Sequence, residues 1–147
     1  MKINRKICKT IRHKCKDNSL RVVSKYLRNM ITSIVPKLPF IDKKQTLDFY
    51  VNQLGFKLAS DYDDYFIILL DNAELHFFAY PTLKPTKSDF MIYLRIDSGI
   101  DELYSKFSKC DPPLKIVGKL DLKHWRQKEF AITDPNGTLL TFGQHIP

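Results

Sequence analysis

The sequence has 147 residues, 44% hydrophobic and 27% charged, which suits one folded domain or two small half-modules sharing a core. Those proportions exclude a disordered chain, and no apolar run reaches the length of a membrane span, the longest being Tyr65 to Leu70. The formal charge of +8 sits at the start: residues 1–29 hold ten of the 24 Lys and Arg against one acid, Asp17, leaving 14 basic and 15 acidic residues, a net charge of −1, in 30–147. A nucleic-acid-binding body is therefore not expected.

The basic leader, residues 1–29, is expected to be disordered or partly helical. Its first 17 residues show no apolar period. From Ser19 a stripe of Leu20, Val23, Leu27, Met30 and Ile34 fits a short amphipathic helix. Ile3 to Arg28 is charged throughout, so no secretory apolar stretch is read there. Met30 stands where the body begins and is a second candidate initiator, which would make residues 1–29 upstream sequence read in frame. Three scattered cysteines, Cys8, Cys15 and Cys110, match neither a zinc pattern nor a disulfide framework. Reduced thiols, and a cytoplasmic location, are the expectation.

The body, residues 30–147, reads as two strand–helix–three-strand modules, about 34–80 and 89–145. Ile34 to Ile41 is extended, and Pro36 and Pro39 suit it only to an edge or hinge strand. Asp42 caps a helix with Gln45 as its capping-box partner; Leu47, Tyr50, Val51 and Leu54 line one face, and Gly55 closes it. Phe56–Ser60, Tyr65–Leu70 and Glu74–Tyr80 read as strands, with a turn at Asp61–Asp64. After the proline-stiffened linker Pro81–Lys87 the order repeats. Phe90–Ile96 is a strand, and Ile100, Leu103, Tyr104 and Phe107 make a helical stripe. Leu114–Gly118, Lys128–Thr133 and Thr138–Gln144 are strands, with Asp134-Pro135-Asn136-Gly137 turning between the last two.

Val35-Pro36-Lys37-Leu38-Pro39, then Leu47-Asp48-Phe49-Tyr50-Val51-Asn52-Gln53-Leu54-Gly55-Phe56, resembles the opening of bleomycin-resistance proteins. These are the antibiotic-binding branch of the glyoxalase-like, or vicinal-oxygen-chelate, superfamily. The segments Glu74 to Pro81, Gly99 to Tyr104, Trp125, Glu129-Phe130-Ala131 and Asp134 to Leu140 extend the resemblance over about 34–145. It implies an α+β fold, paired βαβββ modules forming a curved mixed sheet. It also implies a homodimer that exchanges its first strand, with Pro36 as hinge.

Enzymes of this superfamily hold a divalent metal through His and Glu on several strands. Their ligand positions fall here on Val35, Met91 and Thr141, none of which ligates such a metal well. His76, with Glu74 on the same face, is the one credible nitrogen ligand, and one His with one Glu make no site. Five glycines form no phosphate loop, and no Ser or Cys sits in a nucleophile motif. The resemblance therefore implies no cofactor, no metal and no catalysis. It implies stoichiometric sequestration of a bleomycin-type antibiotic in clefts at a dimer interface, conferring resistance. Two alternatives remain: a metal-dependent enzyme of the same fold (glyoxalase, antibiotic-modifying transferase or dioxygenase), or a regulatory dimer whose leader touches nucleic acid.

A large cationic ligand with a flat aromatic tail needs aromatic faces and carboxylates. Asp61-Tyr62-Asp63-Asp64-Tyr65-Phe66 offers both, so Tyr62, Asp63, Asp64 and Tyr65 are candidate ligand-binding residues. His76 and Phe78 are expected on the wall. Trp125, the only tryptophan, is placed in a long loop as a stacking platform or dimer clamp. The family tends to carry Gly after this Trp. Here Arg126 adds a cation that opposes a cationic drug.

Overall fold

A computed structural model of the chain describes residues 30–147; the leader, with its helical stripe before Met30 and with Cys8 and Cys15, lies outside the described residues. Val35–Pro147 forms one compact unit built of the two expected modules. Module 1 comprises β1 (Lys37–Phe40), α1 (Lys43–Leu47, widening into a π-helical stretch, Asp48–Gln53), β2 (Lys57–Tyr62), β3 (Tyr65–Leu70) and β4 (Ala73–Ala79). Module 2 repeats this with β5 (Met91–Ile96), α2 (Ile100–Ser108), β6 (Lys115–Leu122), β7 (Gln127–Thr133) and β8 (Leu139–His145). Each module forms a four-stranded mixed sheet, ordered β1-β4-β3-β2 and β5-β8-β7-β6. The first strand of each runs parallel to the last and the rest are antiparallel.

Local signals place α1. The Asp42 side chain accepts the Gln45 N–H at 2.8 Å, filling one of the unpaired donors of the first turn. At the other end Gly55 takes φ +87°, and the Phe56 N–H reaches back to the Tyr50 carbonyl at 2.9 Å, so the chain reverses with its last carbonyls occupied. The buried face is Thr46, Phe49, Tyr50 and Leu54; Leu47 and Val51, expected on it, are only half-buried. Thr46 can be interior because its hydroxyl is satisfied twice, donating to the Asp42 carbonyl and accepting from Asn136 Nδ2.

The duplication is visible in the core. Phe66 and Phe77, paired across β3 and β4, stack at 4.6 Å; Phe130 and Phe142, paired across β7 and β8, stack at 5.0 Å. Each stack receives the edge of a helix aromatic, Tyr50 against Phe77 and Phe107 against Phe142.

A buried polar knot joins the modules. Tyr50 Oη donates to Asp134 Oδ2 at 3.0 Å, and Asn136 Oδ1 accepts the Ile41 N–H at 3.0 Å. Asp134 Oδ1 also accepts the Asn136 and Thr138 N–H groups, which shapes the closing turn. Gly137 (φ +80°) follows, so close to the Pro85 carbonyl of the linker that any Cβ would overlap it.

Three strand boundaries differ from expectation by more than one residue. β2 continues through Asp61 and Tyr62, which pair with Phe66 and Tyr65, so the turn shrinks to Asp63–Asp64. β6 runs on to Leu122, because Gly118 marks an irregularity in its pairing opposite Ala131 rather than a strand end. The long loop expected around Trp125 is therefore a four-residue turn, Lys123–Arg126, closed by the Arg126 N–H on the Lys123 carbonyl at 2.9 Å. β1 starts at Lys37 rather than Ile34; Pro36 precedes it, and its carbonyl accepts the His76 N–H at 3.1 Å.

Candidate functional site

Strand alternation gives each sheet one face packed on its helix and one face of partly or fully exposed side chains. In module 1 the register sets Lys37, His76 and Ile67 in one row, and Pro39, Phe78 and Tyr65 in the next. His76 is held at both nitrogens. Its Nε2 lies 2.6 Å from Glu74 Oε1, and its Nδ1 lies 2.6 Å from Tyr65 Oη. With Nε2–H donating to the Glu74 carboxylate, a neutral imidazole would accept the Tyr65 hydroxyl hydrogen at Nδ1. The two contacts hold the imidazole ring and the Tyr65 hydroxyl in place relative to each other.

Tyr65, His76 and Phe78 therefore come together, as expected, with Glu74 beside them. Lys37, overlooked in the sequence, joins them: its Nζ sits 5.1 Å from the Tyr65 ring centre and 5.4 Å from that of Phe78. Asp63 and Asp64 are exposed on the tight turn leading into Tyr65, where the Asp64 carbonyl accepts the Ala79 N–H at 2.8 Å. Tyr62 ends β2 as an exposed ring. Its carbonyl accepts from Lys43 Nζ at 2.6 Å, and the same ammonium pairs with Asp61.

Trp125 belongs to the face of module 2. Its indole is 53% exposed, and its Nε1–H donates to Glu129 Oε1 at 3.0 Å. The same oxygen accepts the Tyr93 hydroxyl at 2.9 Å. Tyr93 is on β5 and Glu129 on β7, so the phenol must cross β8. It does so over Gly143, where any Cβ would overlap the ring. Partial burial, then the hydrogen bond to Glu129, pushes the Tyr93 hydroxyl up to about 12, against a smaller lowering by Arg95. Arg126, beside the indole, adopts φ 62°, a conformation that glycine reaches without strain. Tyr93 is not singled out by the sequence, and Glu129 enters there only as part of the Glu129-Phe130-Ala131 resemblance, not as a site residue. The alternation of Met91, Tyr93 and Arg95 was the signal available for the first.

Among the described residues, the three positions expected to hold the superfamily's metal do not fit it. Val35 and Met91 offer no oxygen or nitrogen side-chain donor, and Thr141 stands beside Tyr93 in the β5–β8 register. Among the described residues no group of three or more His, Cys, Asp and Glu side chains converges. No helix among the described residues is long and apolar enough to cross a membrane. A cavity of about 380 Å3 behind the closing turn, reached by Phe49, Pro113 and Pro135, includes none of the expected ligand-binding residues.

The chain is similar to known proteins. The profile described as "Glyoxalase/Bleomycin resistance protein/Dioxygenase superfamily" matches residues 36–142. A bleomycin resistance protein of Klebsiella pneumoniae is 31% identical over 127 residues, 79% of this chain and 94% of the relative. One from Geobacillus stearothermophilus is 26% identical over 130 residues, 76% of this chain and 96% of the relative. Among solved structures, a bleomycin-binding protein complexed with bleomycin superposes with a TM-score of 0.67 at 30% identity, over 79% of this chain and 100% of that one. The bleomycin-binding protein of Streptomyces verticillus, complexed with copper(II)-bleomycin, is 18% identical with a TM-score of 0.65 and shares the fold.

Proposed function

Because the chain belongs to the glyoxalase/bleomycin resistance protein/dioxygenase superfamily, we propose that it binds and sequesters a bleomycin-type glycopeptide antibiotic without altering it, and so confers resistance. The observation that carries this reading is the pair of open sheet faces, each with aromatic rings set beside a carboxylate. Tyr65 and Phe78 flank the Glu74–His76 pair on one, and Trp125 and Tyr93 flank Glu129 on the other. Flat rings stack on a planar tail, and carboxylates meet cationic groups. The relatives named as bleomycin resistance proteins, aligned over most of their length, support the same ligand class.

Sites that hold molecules of this size bury most of the ligand's surface, which an open sheet face cannot do alone. The reading therefore includes a homodimer in which faces of two copies close each cleft, giving two equivalent sites. Exchange of the first strand about Pro36 is part of the same proposal; in the single chain β1 pairs with its own β4. Asp63 and Asp64 speed capture of the cationic drug from the rim. Sequestration in the cytoplasm needs no cofactor and breaks no bond.

The test is titration of Trp125 fluorescence with copper-loaded and metal-free bleomycin on the full chain. The reading expects saturable quenching at one drug per chain, recovery of unaltered drug and a dimer by sedimentation. A flat titration removes bleomycin as the ligand, and chemically changed drug removes the non-catalytic mechanism.

A further inference from the structure

The cluster of Glu129, Tyr93 and Trp125 is more ordered than stacking requires. One strand, β5, and the turn before β7 converge on one carboxylate oxygen of β7. Tyr93 Oη and Trp125 Nε1 both donate to Glu129 Oε1, at 2.9 and 3.0 Å, and among the described residues Oε2 carries no hydrogen bond. Two donors on one oxygen fix the carboxylate's plane and leave its second oxygen as the available acceptor. The rings that supply those donors are themselves open, Trp125 53% and Tyr93 46% exposed. A glycine at position 143 is what allows the phenol to lie there.

We propose that Glu129, Tyr93 and Trp125 form a subsite for a compact planar cation, an amidinium or guanidinium, whose N–H groups meet Glu129 Oε2 while its face or edge lies against the two rings. This deepens the sequestration reading, on which it rests for its biological ligand, by stating where one positive group of that ligand lands. A neutral amide of the same shape gains the stacking but not the charge-assisted hydrogen bond or the cation–ring attraction. Arg95 opposes the cation: it lies in the same cross-strand row as Gly143 and Glu129, and its charge acts on Tyr93.

The experiment uses the full chain and benzamidinium as probe, with neutral benzamide as control, both read by Trp125 fluorescence. Benzamidinium is expected to bind about tenfold more tightly than benzamide, a preference that salt weakens. Glu129→Gln, which retains an acceptor for Tyr93 and Trp125, is expected to abolish the preference. Arg95→Gln is expected to strengthen benzamidinium binding two- to fivefold, a gain that misfolding cannot imitate. Equal binding of the two probes by the wild type, or a preference that survives Glu129→Gln, overturns the subsite. Loss of bleomycin binding with the benzamidinium preference intact supports the subsite and sinks only the antibiotic as its client. Bleomycin binding without any benzamidinium preference does the reverse.

Discussion

Tyr50, on the helix of module 1, hydrogen-bonds Asp134, in the closing turn of module 2, 84 positions away in sequence at 3.0 Å. Both side chains are buried, and the pair sits among the bonds from Asn136 to Ile41 and Thr46. The relative placement of the two modules thus depends on a few polar contacts whose loss leaves a buried carboxylate short of a donor. Tyr50→Phe is expected to cost about 1–3 kcal/mol in urea unfolding.

The same carboxyl group makes stability depend on pH. Burial, the largest influence, raises Asp134 above its ordinary 3.8, and hydrogen bonds from Thr138, Tyr50 and Asn136 offset this only in part. An acid raised on folding binds more protons folded than unfolded. Its contribution is therefore complete below the unfolded value and is lost as pH rises through the folded one. The stability of the wild type relative to Asp134→Asn is expected to be greatest in acid, to fall as pH rises from about 3.8, and then to level off. Urea midpoints of both chains across that range measure it. A relative stability that grew with pH would mean that the hydrogen bonds outweigh burial.

Arg126 occupies a left-handed conformation, φ 62°, at the end of the four-residue turn. Arg126→Gly is expected to stabilise the chain by roughly 0.5–1 kcal/mol, the relief of strain exceeding the added freedom of the unfolded chain. It also removes a cation beside Trp125, so binding of a cationic ligand should tighten. Thermal unfolding and drug titration on one variant read both effects, and a destabilised variant would show that Arg126 makes a contact worth more than its strain.

Gly143→Ala separates fold from site. A Cβ there overlaps the Tyr93 hydroxyl end, which is mobile enough to swing away, so the sheet is expected to survive while the Tyr93–Glu129 bond breaks. In the wild type the Tyr93 hydroxyl is pushed up to about 12. Being raised, it contributes stability below its ordinary value of 10, and that contribution is lost between there and about 12. In Gly143→Ala the ultraviolet phenolate titration should show one tyrosine returning toward 10. An unchanged titration would place the Tyr93 perturbation in burial alone.

What the sequence reveals here is what is local. Asp42, Gly55, and Asp134 to Gly137 each fix a boundary within a few residues; Asp42 accepts the Gln45 N–H as an N-cap does, although among the described residues the Gln45 side chain makes no return bond to complete the capping box. The Trp125 turn was misjudged because Gly118 looks like a terminator, whereas pairing with Ala131 carries the strand past it. Asp61 and Tyr62 were read as turn because an acidic stretch resembles one, although an edge strand tolerates it. The Glu129 cluster was hidden for a different reason. It requires the register of three strands at once, and one of its essential positions, Gly143, contributes by having no side chain.

Lys37 poses the sharpest question for a cationic ligand, since its ammonium stands over Tyr65 and Phe78, the rings expected to receive the drug. A bound cation on that face would meet a like charge a few ångströms away, partly screened by solvent because Lys37 is exposed. Lys37→Gln removes the charge and frees both rings while leaving the backbone pairing of β1 with β4 intact. If the drug's cationic part lies on module 1, affinity should rise about three- to tenfold, and the gain should shrink with added salt. If instead that part lies against Glu129, the substitution should change affinity less than twofold, and Glu129→Gln should carry the loss. Isothermal calorimetry of the two variants against bleomycin at two salt concentrations separates the arrangements. A fall in affinity for Lys37→Gln would exclude the first: the ammonium would then be part of the recognition surface, contacting an acceptor on the ligand rather than repelling a cation.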